Sequence, residues 1–294
     1  MRCRFVQGDI KSGGLAACAV VDPDTGDLVS DSDRVTQLWA QHFGRLAADS
    51  LGNSRDLDFW EQTLVHFPQS KPLDPCLNDD IQWHELSSVL STMRKGKATG
   101  DDSIPSELWK CALNVADQNG EVPDYPTTPM GKCLLALLNR IWVEGKIPDV
   151  WQKAVIVAVP KKGDLTVMGN YRGNSLINTG LKILASIVNT RVTDQLEARK
   201  AFSKAQAGCR RREEAVAQVV ALFETAQRRT LKGRCTVAVF IDLKKAFDTV
   251  PHAGMITKLS KYGVSGRALS LIKALYSSSS FRVRTAVGLS RETE

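Results

Sequence analysis

Few residues in this 294-residue chain sit in settings that could do chemistry. Asp242 ends the apolar run Thr236-Val-Ala-Val-Phe-Ile, and an aromatic, Phe247, follows five positions later. A carboxylate at the end of a buried strand can hold a cation or simply close a turn, while the ring can shape a pocket or only fill the core. Upstream, Val159-Pro-Lys161-Lys162-Gly-Asp164 precedes Asn170-Tyr171-Arg172. A guanidinium suits bidentate contact with phosphate, and an ammonium supplies a point charge. Lys97-Ala-Thr-Gly100-Asp-Asp102 places both signs of charge around a glycine, as a ligand site or a capped surface turn would.

The elements that must position these groups follow from hydrophobic spacing and caps. Asp31 to Ala48 carries Val35, Leu38, Trp39, Phe43 and Leu46 at helical intervals. From Asp49 to about Asp80 the sequence is polar and interrupted by proline, so it reads as a linker. A helix is expected from Asn78 to Met93, and another from Met130 to Glu144, closed by Gly145 and Pro148. Ala154 to Val159 reads as a short strand ending at Pro160. Thr179 to Ala198 and Glu213 to Thr230 read as helices, and Cys235 to Ile241 as a buried strand. Two short helices are expected between Ala253 and Tyr276. In a final strand, Phe281, Val283, Thr285 and Val287 would face one way and Arg282 and Arg284 the other.

A 43% hydrophobic content and this length allow a sizeable core, in one large domain or two modest ones. The first fifteen residues hold no apolar core of signal-peptide length, and no run reaches the roughly 20 apolar residues a membrane helix needs. These features predict a soluble intracellular protein, cytoplasmic or nuclear, with no membrane partner. The seven cysteines include no Cys-x-x-Cys pair, which argues against zinc or a disulfide framework and predicts ordinary buried thiols. Charge is unevenly spread. Residues 1–140 hold 13 Lys and Arg against 20 Asp and Glu, whereas residues 141–294 hold 26 against 12. The basic half would attract nucleic acid through its phosphates, or be a solvated surface. Gly96-Lys97-Ala-Thr99 lacks the first glycine of a P-loop, and His84-Glu85 lacks the second histidine of a zinc protease helix.

Four of these segments, in this order, resemble the reverse transcriptases of non-LTR (LINE-type) retrotransposons. Lys97 to Leu108 is similar to the opening fingers motif, and Val159 to Leu176 to the second. Gln206-Ala-Gly208 sits where the family has it, and Val239 to Val250 resembles the first catalytic motif. The resemblance implies an α+β fold of right-hand polymerase type: a helical connector and linker over 1–79, fingers over 80–233 and the first part of the palm over 234–294. It further implies RNA-directed DNA polymerisation from dNTPs on an RNA template and DNA primer, by two-Mg²⁺ nucleotidyl transfer. Asp242 and the Leu243 carbonyl would then be metal ligands. Arg172, Lys161 and Lys162 would grip the triphosphate, Phe247 would lie under the sugar and exclude a 2′-hydroxyl, and Lys97 and Asp102 would bind template or shape the fingers. Asp248 would be structural.

Two departures stand inside the matched motifs: Gly173-Asn174 where the family more usually has Pro-Ile, and Cys209 where an aromatic commonly follows Gln-Ala-Gly. The family's Gln-Gly pair and Tyr-x-Asp-Asp turn have no counterpart after residue 250, so this stretch alone is expected to be inactive. A non-catalytic nucleic-acid-binding remnant, decayed debris and a group II intron type maturase are the alternatives. The helical connector and the Ala-Phe247-Asp248 form favour the LINE type among the enzymes. Oligomeric state is not set by sequence.

Overall fold

The computed structural model describes residues 17–49, 52–116, 120–211, 213–243, 246–247 and 249–293. In chain order the elements are β1 (Val20–Val21), β2 (Leu28–Val29), α1 (Ser32–Ala47), α2 (Leu57–Thr63), α3 (Trp83–Thr92), α4 (Ser106–Lys110) and α5 (Pro129–Glu144). They continue with β3 (Lys153–Pro160), β4 (Tyr171–Ile177), α6 (Thr179–Ala198), α7 (Ala215–Leu231), α8 (His252–Lys261), α9 (Gly266–Ser277) and β5 (Ser280–Arg284). The fold is mixed, rich in helix, with a two-stranded and a three-stranded sheet.

Local chemistry explains most boundaries. Asp31 caps α1 by accepting from the Arg34 amide at 2.9 Å. Thr128 Oγ1 accepts from Gly131 N at 3.0 Å at the start of α5, where Pro129 occupies the first turn. Gly145, at φ +65°, ends that helix in the left-handed conformation that glycine adopts without a Cβ penalty. α3 starts at Trp83, later than the sequence suggests, because Gln82 and Glu85 form a reciprocal capping box while Asn78 lies in a preceding 3₁₀ turn over Pro75–Asn78.

The stretch expected to be a linker is structured. α2 forms within it, capped by Asp56, and packs on α8, where Gly254 leaves room for the Trp60 ring. Two hydrophobic clusters result. The larger gathers α3, α5, α6 and α9 around Leu86, Leu138, Ile183, Leu184 and Leu271. The smaller joins α1 to the three-stranded sheet through Val35, Leu38, Trp39, Phe43, Ala158, Tyr171 and Val283.

That sheet has the order β4-β3-β5. β3 and β4 form an antiparallel hairpin, with Val159 opposite Arg172 and Ala158 opposite Gly173. β5 joins β3 in parallel across more than a hundred residues, with Val157 beside Arg284 and Val155 beside Arg282.

The strand expected over Cys235–Ile241 does not form. Val237, Val239, Phe240 and Ile241 are 79 to 86% exposed, and α7 before them buries none of its residues. An apolar run becomes a strand only when a neighbour takes its backbone hydrogen bonds, and among the described residues none lies beside this one. Hydrogen exchange should therefore find the Thr236–Ile241 amides close to unprotected and those of Ile183–Val188 in α6 strongly protected. Equal protection of the two stretches would contradict this arrangement. The cysteines also depart from expectation. Cys18, Cys76, Cys111, Cys133, Cys209 and Cys235 are free thiols on exposed residues.

Candidate nucleic-acid and nucleotide site

The basic residues of the second motif sit on and around the β3–β4 hairpin. Its connection is tied internally. Lys161 N donates to Asn170 O at 2.7 Å, Asn170 Nδ2 to Asp164 O at 2.8 Å, and Tyr171 Oη to Leu165 O at 2.9 Å. Asp164 accepts from the Thr166 amide and hydroxyl, and these bonds hold its carboxyl below the usual carboxylate range. Lys161 and Lys162 belong to this connection and are exposed. Arg172 belongs to β4 rather than to a loop, so its Cα position is fixed by pairing with β3 while its side chain remains exposed.

The opposite face of the hairpin is held by α1. Trp39, fully buried, packs edge-on against Tyr171 at 4.9 Å between ring centroids and stacks on Phe43 at 5.9 Å. Phe43 in turn covers Gly173, where an added Cβ would fall 2.6 Å from Phe43 Cε1. The departure at Gly173 thus has a packing cause in a helix 130 residues away in sequence.

Lys97 and Asp102 lie elsewhere, against the first turns of α6. Lys97 lines a cavity of about 210 Å³ with Arg94, Lys182, Ser106 and Thr179. Asp102 N donates to Asn178 Oδ1 at 3.3 Å, and Asp102 Oδ1 accepts from Ile104 N at 3.1 Å. Gly100 is required beside it, since a side chain there would collide with Asn178. Burial lowers the Lys182 pKa, and the nearby Asp102 charge partly opposes that shift. Asp101, the neighbour of Asp102, accepts from Arg282 of β5 at 2.6 Å, which ties the first fingers-like motif to the sheet.

Asp242, Leu243 and Phe247 stand apart from both groups. Leu243 and Phe247 are 71 and 89% exposed, and Asp242 is exposed with no side-chain partner among the described residues. Lys244, Lys245 and Asp248 of the same motif lie outside the described residues.

Residues 159–292, a little under half of the chain, match the family described as reverse transcriptase (RNA-dependent DNA polymerase), and this segment is a stretch of reverse transcriptase domain. Its relatives include proteins of mobile elements. The chain is 25% identical over 265 residues to the RNA-directed DNA polymerase from mobile element jockey of Drosophila funebris, covering 88% of this chain and 26% of that protein. It is 26% identical over 209 residues to the transposon TX1 uncharacterized 149 kDa protein of Xenopus laevis, covering 71 and 15% respectively. It is also 26% identical over 146 residues to the Pol polyprotein of the type-1 retrotransposable element R2 of Popillia japonica, covering 50 and 20%. The chain spans about a quarter or less of the length of these relatives.

Reverse transcriptases use divalent metal. The Asp242 carboxylate and Leu243 carbonyl offer the hard oxygen donors such an ion prefers. Among the described residues no group of three or more His, Cys, Asp or Glu side chains comes together to hold an ion. No helix of the described residues is long and apolar enough to cross a membrane.

Proposed function

We propose that this chain supplies the connector (1–79), the fingers (80–233) and the first part of the palm (234–294) of a non-LTR RNA-directed DNA polymerase. Its role is to engage RNA template, DNA primer and dNTP. The supporting observation is the β3–β4 hairpin, braced from behind by α1, which holds Arg172 on a paired strand with Lys161 and Lys162 at the tip. In this reading Arg172, Lys161 and Lys162 grip the triphosphate of the incoming dNTP, and Phe247 selects deoxynucleotides. Lys97 and Asp102 bind template or shape the fingers. Asp242 and the Leu243 carbonyl contribute to a Mg²⁺ site.

A second reading, of a non-catalytic nucleic-acid-binding remnant, draws on the isolation of Asp242 among the described residues. Two measurements on the 294-residue chain test these readings. Primer extension on RNA with Mg²⁺ and dNTPs should be absent, and incorporation above an Asp242→Ala control would overturn that expectation. RNA binding should be present, roughly 10⁻⁴ to 10⁻⁶ M at physiological salt, and should weaken steeply as salt rises. A chain that binds no RNA at low salt would defeat both readings.

A further inference from the structure

We propose that the cavity between α6 and the segment running from α3 to α4 is a binding site for a small organic phosphomonoester, one with a compact apolar body. It lies apart from the β3–β4 hairpin and from Asp242, and it does not depend on the reading above.

Lys182 is the residue that points to a ligand. It is half-buried on the first turns of α6 and lines the cavity, and among the described residues nothing forms an ion pair or hydrogen bond with its ammonium. Burial depresses its pKa, and Asp102 acts on it only through its charge. A charge withdrawn from water is costly unless it is paired. The cavity beside it, of about 210 Å³, gives a counterion room.

The surroundings are positive. Arg94 and Lys97 line the same cavity, and neither has an ion-pair partner among the described residues. Lys97 keeps the part in template binding or fingers shape given to it above, and the anion is assigned to Lys182 and Arg94. The nearby carboxylates are engaged by other groups: Glu107 accepts from Gly96 N at 2.6 Å and from Ser106 Oγ at 3.2 Å, and Asp102 Oδ1 accepts from Ile104 N at 3.1 Å. The start of α6 adds to the field. Asn178 at its N-cap turns its side chain to Val150 O and Asp102 N and caps no first-turn amide, so this end of a 20-residue helix is free to attract an anion. Thr179, the first residue of the helix, lines the cavity at 4% exposure, and its hydroxyl has no hydrogen-bond partner among the described residues.

Size and lining define the ligand. Val89, Met93 and Ile183 give the cavity an apolar wall, which a bare phosphate would leave wet and an organic body would cover. A volume of about 210 Å³ corresponds to about seven waters at their liquid share of about 30 Å³ each. It falls below the roughly 300 Å³ at which pockets for drug-sized ligands begin, so a nucleoside triphosphate with its base, sugar and three phosphates is too large. A doubly charged phosphomonoester answers the ammonium, the guanidinium and the helix start better than a singly charged carboxylate does.

The test is calorimetric titration of phenyl phosphate into the full 294-residue chain. Phenyl phosphate should bind several-fold more tightly than inorganic phosphate, which lacks the body, and than phenol or benzoate, which lack the dianion. Lys182→Met keeps the stem and removes the ammonium; it should weaken binding by about tenfold or more, the worth of one charge-assisted hydrogen bond. Lys182→Arg should restore most of the loss. Ser186→Leu, at an exposed helical position on the cavity wall, should fill the space and abolish binding while urea melts stay unchanged. Arg140→Ala, which removes an exposed cation paired with Glu144 on α5, should change nothing. If Lys182→Met does not fold, Ser186→Leu decides. Binding that survives Ser186→Leu, or an unaltered chain that takes up no phenyl phosphate, overturns the site. Benzoate bound as tightly as phenyl phosphate overturns the assignment to phosphomonoesters. Displacement of phenyl phosphate by dTTP or by single-stranded RNA would make the cavity part of the path for those substrates and overturn the proposal, leaving the fingers reading in place.

Discussion

Arg191→Met is expected to lower folding stability by about 3 to 5 kcal/mol, the range for removing one partner of a buried ion pair. Arg191 projects from α6 with only 11% of its side chain exposed, and Glu85 of α3 is 17% exposed. The guanidinium donates to both Glu85 oxygens at 2.6 Å, to Asp79 O at 2.6 Å and to Asp80 O at 3.0 Å, and it lies 5.3 Å from the Trp142 ring centroid. One side chain therefore fastens α6 to the start of α3 and to the turn before it. Methionine would keep much of the apolar contact and leave the carboxylate and the carbonyls without their donor.

Burial by itself would raise the Glu85 pKa, but the Arg191 hydrogen bonds, the Gln82 amide and the Arg191 charge together bring it below the ordinary 4.5. A carboxylate with a depressed folded pKa contributes stability that is fully present above its unfolded value and is lost as pH falls through the folded one. The difference between wild type and Arg191→Met in urea melts should therefore be largest near neutrality and shrink below about pH 4.5. Arg191→Met with Glu85→Leu should recover much of the loss, because replacing both members of a buried pair by apolar groups is often close to neutral. A single variant that melts within about 0.5 kcal/mol of wild type would show that the pair holds nothing in place.

How much of this was legible in the sequence depends on how local each determinant is. α6 forms over the residues its periodicity indicates, and α1 and α5 fall within a residue of expectation, because their caps and apolar faces are read from adjacent positions. The run over Cys235–Ile241 has the composition of a buried strand, but pairing is a property of two segments, and only one is visible in the pattern. The parallel addition of β5 to β3 joins residues about 127 apart, and the Arg191–Glu85 pair joins residues 106 apart. Neither leaves a short-range trace. The basic hairpin was legible as chemistry, and its face was not: Arg172 and Arg284 come to share one side of the sheet only through the register of three strands.

Gly173→Val is the variant in which sequence and structure make opposite demands. The family more usually has a larger residue here, yet in this chain the Phe43 ring fills the space, with Ile156 Cγ2 also only 3.1 Å from an added Cβ. Phe43 is buried and stacked on Trp39, which is itself locked against Tyr171, so the ring cannot swing aside without disturbing all three. Overpacking of this kind costs about 1 to 3 kcal/mol, and truncating a buried Phe to Ala costs about 3 to 5 kcal/mol. The double variant Phe43→Ala with Gly173→Val should be more stable than the sum of those losses predicts, because the valine side chain enters the space the ring has left. A coupling of about 0.5 to 3 kcal/mol is expected in a double-mutant cycle of urea melts. The same cycle read in RNA affinity tests whether α1 positions the hairpin. Gly173→Val alone should displace the neighbouring Arg172 and weaken RNA binding, and the double variant should bind more tightly than Gly173→Val. Additive stabilities, or RNA affinity indifferent to both substitutions, would mean that α1 only fills the back of the sheet and does not set where Arg172 stands.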